Sequence, residues 1–314
     1  MKAVDYKVDV GGGATMKFHV EHFKSFSEVY NVCTKRECKY SGHSGIDYFN
    51  LNARGLEYGK NKGFSSQEEL FSKLRTGYND TDVLKDVHKF VHLTNAPEIK
   101  KYKGVRRDVC GGGVDIPRYL TGSPDCMLMP YKQMSDSNIV HIGMISGVPW
   151  HVSPEAIKAA GKALARSIYS LEKAGYRVTF DVLAAHRSIP NPYYGSGMTI
   201  RIKNSDGALS LPKLLYPLCD VSFMRGISFG QVVQDPHLGY AEGLSYPIRE
   251  AFPSSRKVEL TDKMCAQVFG KDAMCFDINT ILDIYDRDRE HAPEAMEKFI
   301  LSRLALDGGS NGRR

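Results

Sequence analysis

The sequence predicts an α/β protein, a three-layer sandwich around a mostly parallel sheet, from three observations. Residues 139–145 (Ile-Val-His-Ile-Gly-Met-Ile) and 177–183 (Arg-Val-Thr-Phe-Asp-Val-Leu) are short, nearly continuous apolar runs, the pattern of strands covered on both faces. Between them lies a long amphipathic segment with its own start and stop signals, and strand, helix and strand make a right-handed crossover that joins parallel neighbours. Finally, 314 residues with 42% hydrophobic and 25% charged side chains can bury a core without disulfide or metal staples.

Taken in chain order, residues 1–134 are weakly patterned and are expected to form an α+β region packed on the core. Ser66-Gln67-Glu68-Glu69 is a capping box, in which the serine hydroxyl accepts from the amide at Glu69 and the Glu69 carboxylate reaches back to the serine amide. Leu70, Phe71 and Leu74 follow on one face, and Gly77 supplies the closing turn. A second helix is expected over 83–91, and long loops with short strands over 40–64. The core is placed at 135–305. Ser153 is the N-cap of its long helix, Pro154 fills the first position, and Glu155 favours the positive end of the dipole. Ile157, Ala160, Leu164, Ile168 and Leu171 then form one stripe, ended by Gly175. Residues 198–202 alternate and add a strand. A short helix over 211–218 tolerates Pro212 in its first turn and should stop at Pro217. Residues 275–285 fit a strand or a helix, and a last helix begins at Pro293 with Ala295, Phe299, Ile300 and Leu304 inward. Residues 306–314 have little to bury and read as a flexible tail.

Composition excludes several classes. No apolar run reaches the ~20 residues of a membrane helix, so no membrane partner is expected. The first residues show no signal-peptide core, and the seven cysteines, odd in number and irregularly spaced, read as reduced thiols of a cytoplasmic protein. Net charge is +6, with 21 basic and 17 acidic residues up to position 136 and 21 and 19 beyond it. No half is a strongly basic module, so nucleic acid is a secondary expectation and a protein partner the primary one.

The motifs point to a site at one place. Loops at the carboxyl ends of parallel strands are where open α/β sheets bind ligands, and two such loops carry Ser146, Trp150 and His151, and His186 and Arg187. These five are the candidate binding residues. No G-x-S-x-G elbow accompanies them, and no carboxylate stands beside His186 in sequence, so no catalytic set is assigned. Cys33, Cys38 and His43 are the only cluster resembling zinc ligands, but the spacing is loose and reduced thiols are the plainer reading; no metal and no cofactor is expected. Gly11-Gly12-Gly13 and Gly111-Gly112-Gly113 lack the rest of a phosphate loop and read as bends. Lys158, Lys162 and Arg166 read as a solvated basic helix face.

The unit from Ile139 to Leu183 resembles a von Willebrand factor A-like, Rossmann-like core. Where that family places its metal-holding Asp-x-Ser-x-Ser, this chain reads Met144-Ile145-Ser146-Gly147-Val148; only Ser146 matches, and the metal site does not carry over. The segment from Asp108 to Met127, Gly-rich, then Val114-Asp115, then Tyr119-Leu120-x-Gly122-x-Pro124-x-Cys126-Met127, resembles the signature of an uncharacterised family of tailed phages and their hosts. This resemblance implies a phage-encoded, non-catalytic interaction or assembly protein in the host cytoplasm or on the virion. The alternative is an enzyme of phosphodiester or nucleotide chemistry that uses His186, Arg187 and an acid such as Asp181.

Overall fold

The alternation of Met16, Phe18 and Val20 with Lys17, His19 and Glu21 turns one side of an N-terminal strand into a core face, and a seven-stranded sheet is built outward from there. The computed structural model describes residues 2–33, 63–89, 102–133, 139–148, 152–187, 191–228, 246–247, 257–287 and parts of 291–303, apart from 12, 65, 110, 111 and 192. Strands β1 (Lys2–Gly11) and β2 (Ala14–Phe23) form a hairpin whose turn uses Gly13 at φ +77°. Helices α1 (Phe26–Cys33), α2 (Gln67–Thr76) and α3 (Thr81–Lys89) follow. A separate small sheet holds β3 (Tyr102–Asp108), β4 (Gly113–Val114) and β5 (Met127–Gln133), with the short helix α4 (Ile116–Leu120) between β4 and β5.

The main sheet then resumes with β6 (Ile139–Ile145), α5 (Pro154–Ala174), β7 (Arg177–Arg187) and β8 (Tyr194–Lys203). Helix α6 (Leu211–Cys219) and a π-helical turn (Phe223–Ser228) come next, then β9 (Tyr246–Pro247), α7 (Lys257–Phe269), β10 (Met274–Asp277) and α8 (Ile278–Arg287).

The sheet is mixed, which corrects the expected mostly parallel sandwich of von Willebrand factor A-like or Rossmann-like type. Its order is β1-β2-β8-β7-β6-β10, with β9 on β7. Strands β6 and β7 are parallel, as their crossover helix requires, and β10 continues parallel on β6. Strands β7 and β8 are antiparallel, because residues 188–193 are too few for a crossover, which takes about a dozen or more. The hairpin β1–β2 is antiparallel for the same reason, and β2 then runs parallel to β8. The sheet thus draws strands from both sides of position 135. Helix α7 lies against both β1 and β10, so the sheet curls around it as a half-barrel.

Strand alternation assigns the two faces. Ile142, Met144, Val178, Phe180, Val182, Ala184, Met198 and Ile200 pack in one cluster with the helices α1, α2, α5 and α6. Met16, Phe18, Val20, Ile145, Leu183, Ala185 and Cys275 pack with Leu260, Met264 and Cys265 of α7. The serine caps and the glycine stop of the long helix act as read: Ser153 Oγ accepts from Ala156 N at 3.2 Å, Ser66 Oγ from Glu69 N at 3.2 Å, and Gly175 is left-handed at φ 100°, while the Glu69 carboxylate pairs with Lys73 at 3.1 Å. Ile157, Leu164 and Ile168 of α5 are at most 1% exposed, a burial worth about 1.5–3 kcal/mol each against exposure. The ambiguous segment 275–285 is both things in turn, the end of β10 and then α8. Helix α6 passes Pro217 and ends two residues later.

The basic line on α5 is a docking seam rather than a solvated face. Lys158 bonds Asp80 at 2.5 Å, while Lys162 and Arg166 reach Asp86 at 3.0 and 2.6 Å, which ties α3 to α5. The Lys158 ammonium holds the Asp80 carboxyl below its ordinary range, at about 2. Among the described residues no helix is long and apolar enough to cross a membrane.

Candidate functional site

The expected site is the rim at the carboxyl ends of β6 and β7. Ser146 leaves β6 with its amide donating to Leu183 O at 2.9 Å, and it is 1% exposed. His186 is 7% exposed, and its Nε2 lies 2.7 Å from the hydroxyl of Ser228 in the π-helical turn, a rare geometry that recurs at functional positions. Arg187, half-buried, ends β7. Trp150 and His151 lie outside the described residues, as do Cys38 and His43; Cys33 ends α1, and its side chain is not described either. Among the described residues no three His, Cys, Asp or Glu side chains converge as a metal site.

The rim residues therefore face the protein as much as solvent. Replacing His186 by alanine is expected to cost about 1–2 kcal/mol in urea unfolding, because it strips Ser228 of a buried partner; an unchanged midpoint would make the contact dispensable.

A second polar assembly lies on the concave, α7-facing side of the sheet, beyond the end of that helix. Asp181 in β7 turns away from the crossover helix and is 8% exposed at its side chain. It accepts from Arg201 Nε of β8, its register neighbour, and bonds His141 Nε2 of β6 at 2.7 Å. His141 also stands edge-on to the Phe269 ring of α7, with centroids 6.2 Å apart.

Along the same face, His22 of β2 links Thr199 Oγ1 (2.7 Å from Nδ1) to Tyr6 OH (2.9 Å from Nε2). Burial, aided by Lys2, pushes the His22 imidazole below its usual range against the opposing pull of Asp181, and burial raises the Tyr6 phenol. A neutral imidazole donates through one nitrogen and accepts through the other, so this chain of bonds has a direction. Alternation sends Asp181 and His186 to opposite faces of β7, and the acid and base named for the enzymatic alternative are not brought together.

The small sheet carries a different surface. Its polar side chains pair with one another at the surface: Arg107 Nε bonds Asp115 at 3.0 Å, and Arg118 Nη2 bonds Asp125 at 2.9 Å and Ser123 at 3.2 Å. Gly122 at φ 72° closes the turn after α4. The apolar residues of the same segment face outward, with Val109, Val114, Ile116, Tyr119 and Leu120 exposed at 71, 45, 65, 65 and 77%. Only Ile139 and Tyr193 join them as exposed large hydrophobics among the described residues, so five of seven fall within twelve positions.

Sequence reading passed over His22, His141, Thr199 and Arg201. The available signal was one polar residue interrupting an apolar strand, repeated at His141, Asp181 and Arg201 on three successive strands of the sheet.

Comparison with known proteins finds a family described as "Domain of unknown function (DUF7192)" that matches residues 8–268, from β1 through α7. No curated protein and no solved structure matches the chain.

Proposed function

We propose, for a chain that belongs to the DUF7192 family of domains of unknown function, that it works by binding a protein partner rather than by catalysis. The observation that carries this reading is the outward apolar strip of the small sheet, Val109, Val114, Ile116, Tyr119 and Leu120. Exposed large apolar side chains gathered in one short segment are what a protein interface presents before it is covered. The arginines of the segment are paired with its own acids, Arg107 with Asp115 and Arg118 with Asp125, so the exposed surface beside them is apolar. The setting that goes with this reading is the phage-infected cell implied by the signature segment, which includes these residues.

The test compares the intact chain with the variant Ile116→Ser, Tyr119→Ser, Leu120→Ser as bait in extract of infected cells. All three side chains are exposed, so the variant should keep its midpoint within roughly 0.5 kcal/mol of wild type. Loss of anchors of this kind costs about 2 kcal/mol or more each, and the specific partner should disappear from the captured set. Identical captured sets from both baits would sink the proposal.

A further inference from the structure

The structure also points to an oxyanion site that is separate from the partner-binding strip: we infer that the cavity between the end of β2 and the end of β8 binds a phosphate dianion. This cavity, of about 180 Å³, is lined by Lys24, Ser25, Ser27, Arg201, Asn204 and Lys213. Its remaining walls are Phe26 and Ile202, and no carboxylate lines it. Every polar side chain of the lining can donate a hydrogen bond, and three of the six are cations. That donor set complements a compact oxyanion.

Three of the donors, Arg201, Asn204 and Ser25, are held in place. Arg201 is fixed from behind by Asp181 at Nε and from the side by Asn204 Oδ1 at 3.1 Å from Nη1. Two of its five N–H groups are thereby used, and three remain. Because Asn204 accepts through Oδ1, its amide nitrogen keeps both hydrogens for donation. Ser25 Oγ accepts from Glu28 N at 3.3 Å, which leaves its own O–H to give. Glu28 reaches back to the Lys24 amide at 2.7 Å, and the site rests on side chains. Asp181 neutralises Arg201, and Glu28 offsets part of the Lys24 charge, while Lys213 has no ion pair among the described residues; both lysines are exposed. The cavity therefore keeps a net positive charge, which favours a doubly charged free phosphate or terminal phosphomonoester over a singly charged diester.

Thermal unfolding and calorimetric titration with inorganic phosphate, against chloride at equal ionic strength, test this. Phosphate should raise the midpoint saturably where chloride does not. The variant Lys24→Gln, Lys213→Gln should unfold at the wild-type midpoint in chloride and bind phosphate about tenfold more weakly, or worse. A short oligonucleotide with a 5′-phosphate, set beside its 5′-hydroxyl twin, separates the sources. Competition by the phosphorylated form alone identifies a terminal phosphomonoester, and competition by neither identifies free phosphate. Equal competition by both, equal effects of phosphate and chloride, or unchanged affinity in the double variant would each overturn the inference.

Discussion

Gly161→Val should destabilise the protein by about 3 kcal/mol and lower the thermal midpoint by roughly 6–12 °C. Gly161 lies on the buried side of α5 where α6 crosses it, and a Cβ built there would stand 2.1 Å from Leu218 O and 2.7 Å from Cys219 Sγ. The first obstacle is a backbone carbonyl, which cannot rotate aside as a side chain would, so the two helices must separate and their shared core loosen. Gly161→Ala gains about 1 kcal/mol of helix propensity and should therefore fall between wild type and the valine variant. Gly112→Ala is the control, since nothing lies within 4 Å of a Cβ there and it should be silent. A valine variant as stable as wild type in urea unfolding would show that α5 and α6 are not in close contact.

The same pair of helices shows what the sequence discloses and what it hides. The unit from β6 through α5 to β7 was legible because its evidence is local: a cap at Ser153, a stripe from Ile157 to Leu171, a stop at Gly175 and two apolar runs. Sheet direction beyond that unit was not. It depends on the length of the connection after Arg187 and on the pairing of β2 with β8, between residues almost 180 positions apart, and no periodicity in either strand records a partner. The alternation of Met16, Phe18 and Val20 was present, but a hairpin of half-polar strands before residue 24 looks like an appended element until its partner is known.

The site was hidden for a related reason. The rule that places ligands at the carboxyl rim holds for open parallel sheets, and it directed attention to Ser146 and His186, which this mixed sheet buries beneath the π-helical turn and the neighbouring strands. Arg201 and Asp181 are ordinary polar interruptions when each is seen alone. They become one assembly only when β8 pairs antiparallel with β7 and sets them opposite each other. Lys24 and Lys213 are still further from inference, since they meet only where a strand end and a helix start converge at one cavity.

Asp181→Leu is expected to cost about 3 kcal/mol, the lower end of the range for breaking a buried ion pair, because Arg201 and His141 keep 36% and 24% of their side-chain surface in water. The loss arises less from missing attraction than from what is left behind: a guanidinium on the concave face without its carboxylate, and an imidazole Nε2 without its partner. Removing the remaining polar groups should then restore most of the stability. The variant Asp181→Leu, Arg201→Leu, His141→Phe replaces the row by apolar side chains on neighbouring strands, and the new phenyl ring inherits the edge contact with Phe269. Its deficit in urea unfolding should be under about 1 kcal/mol, smaller than that of the single variant. If the three changes instead add, with the triple variant less stable than Asp181→Leu alone, the row is not one interacting unit, and Arg201 is held at the cavity by something other than Asp181.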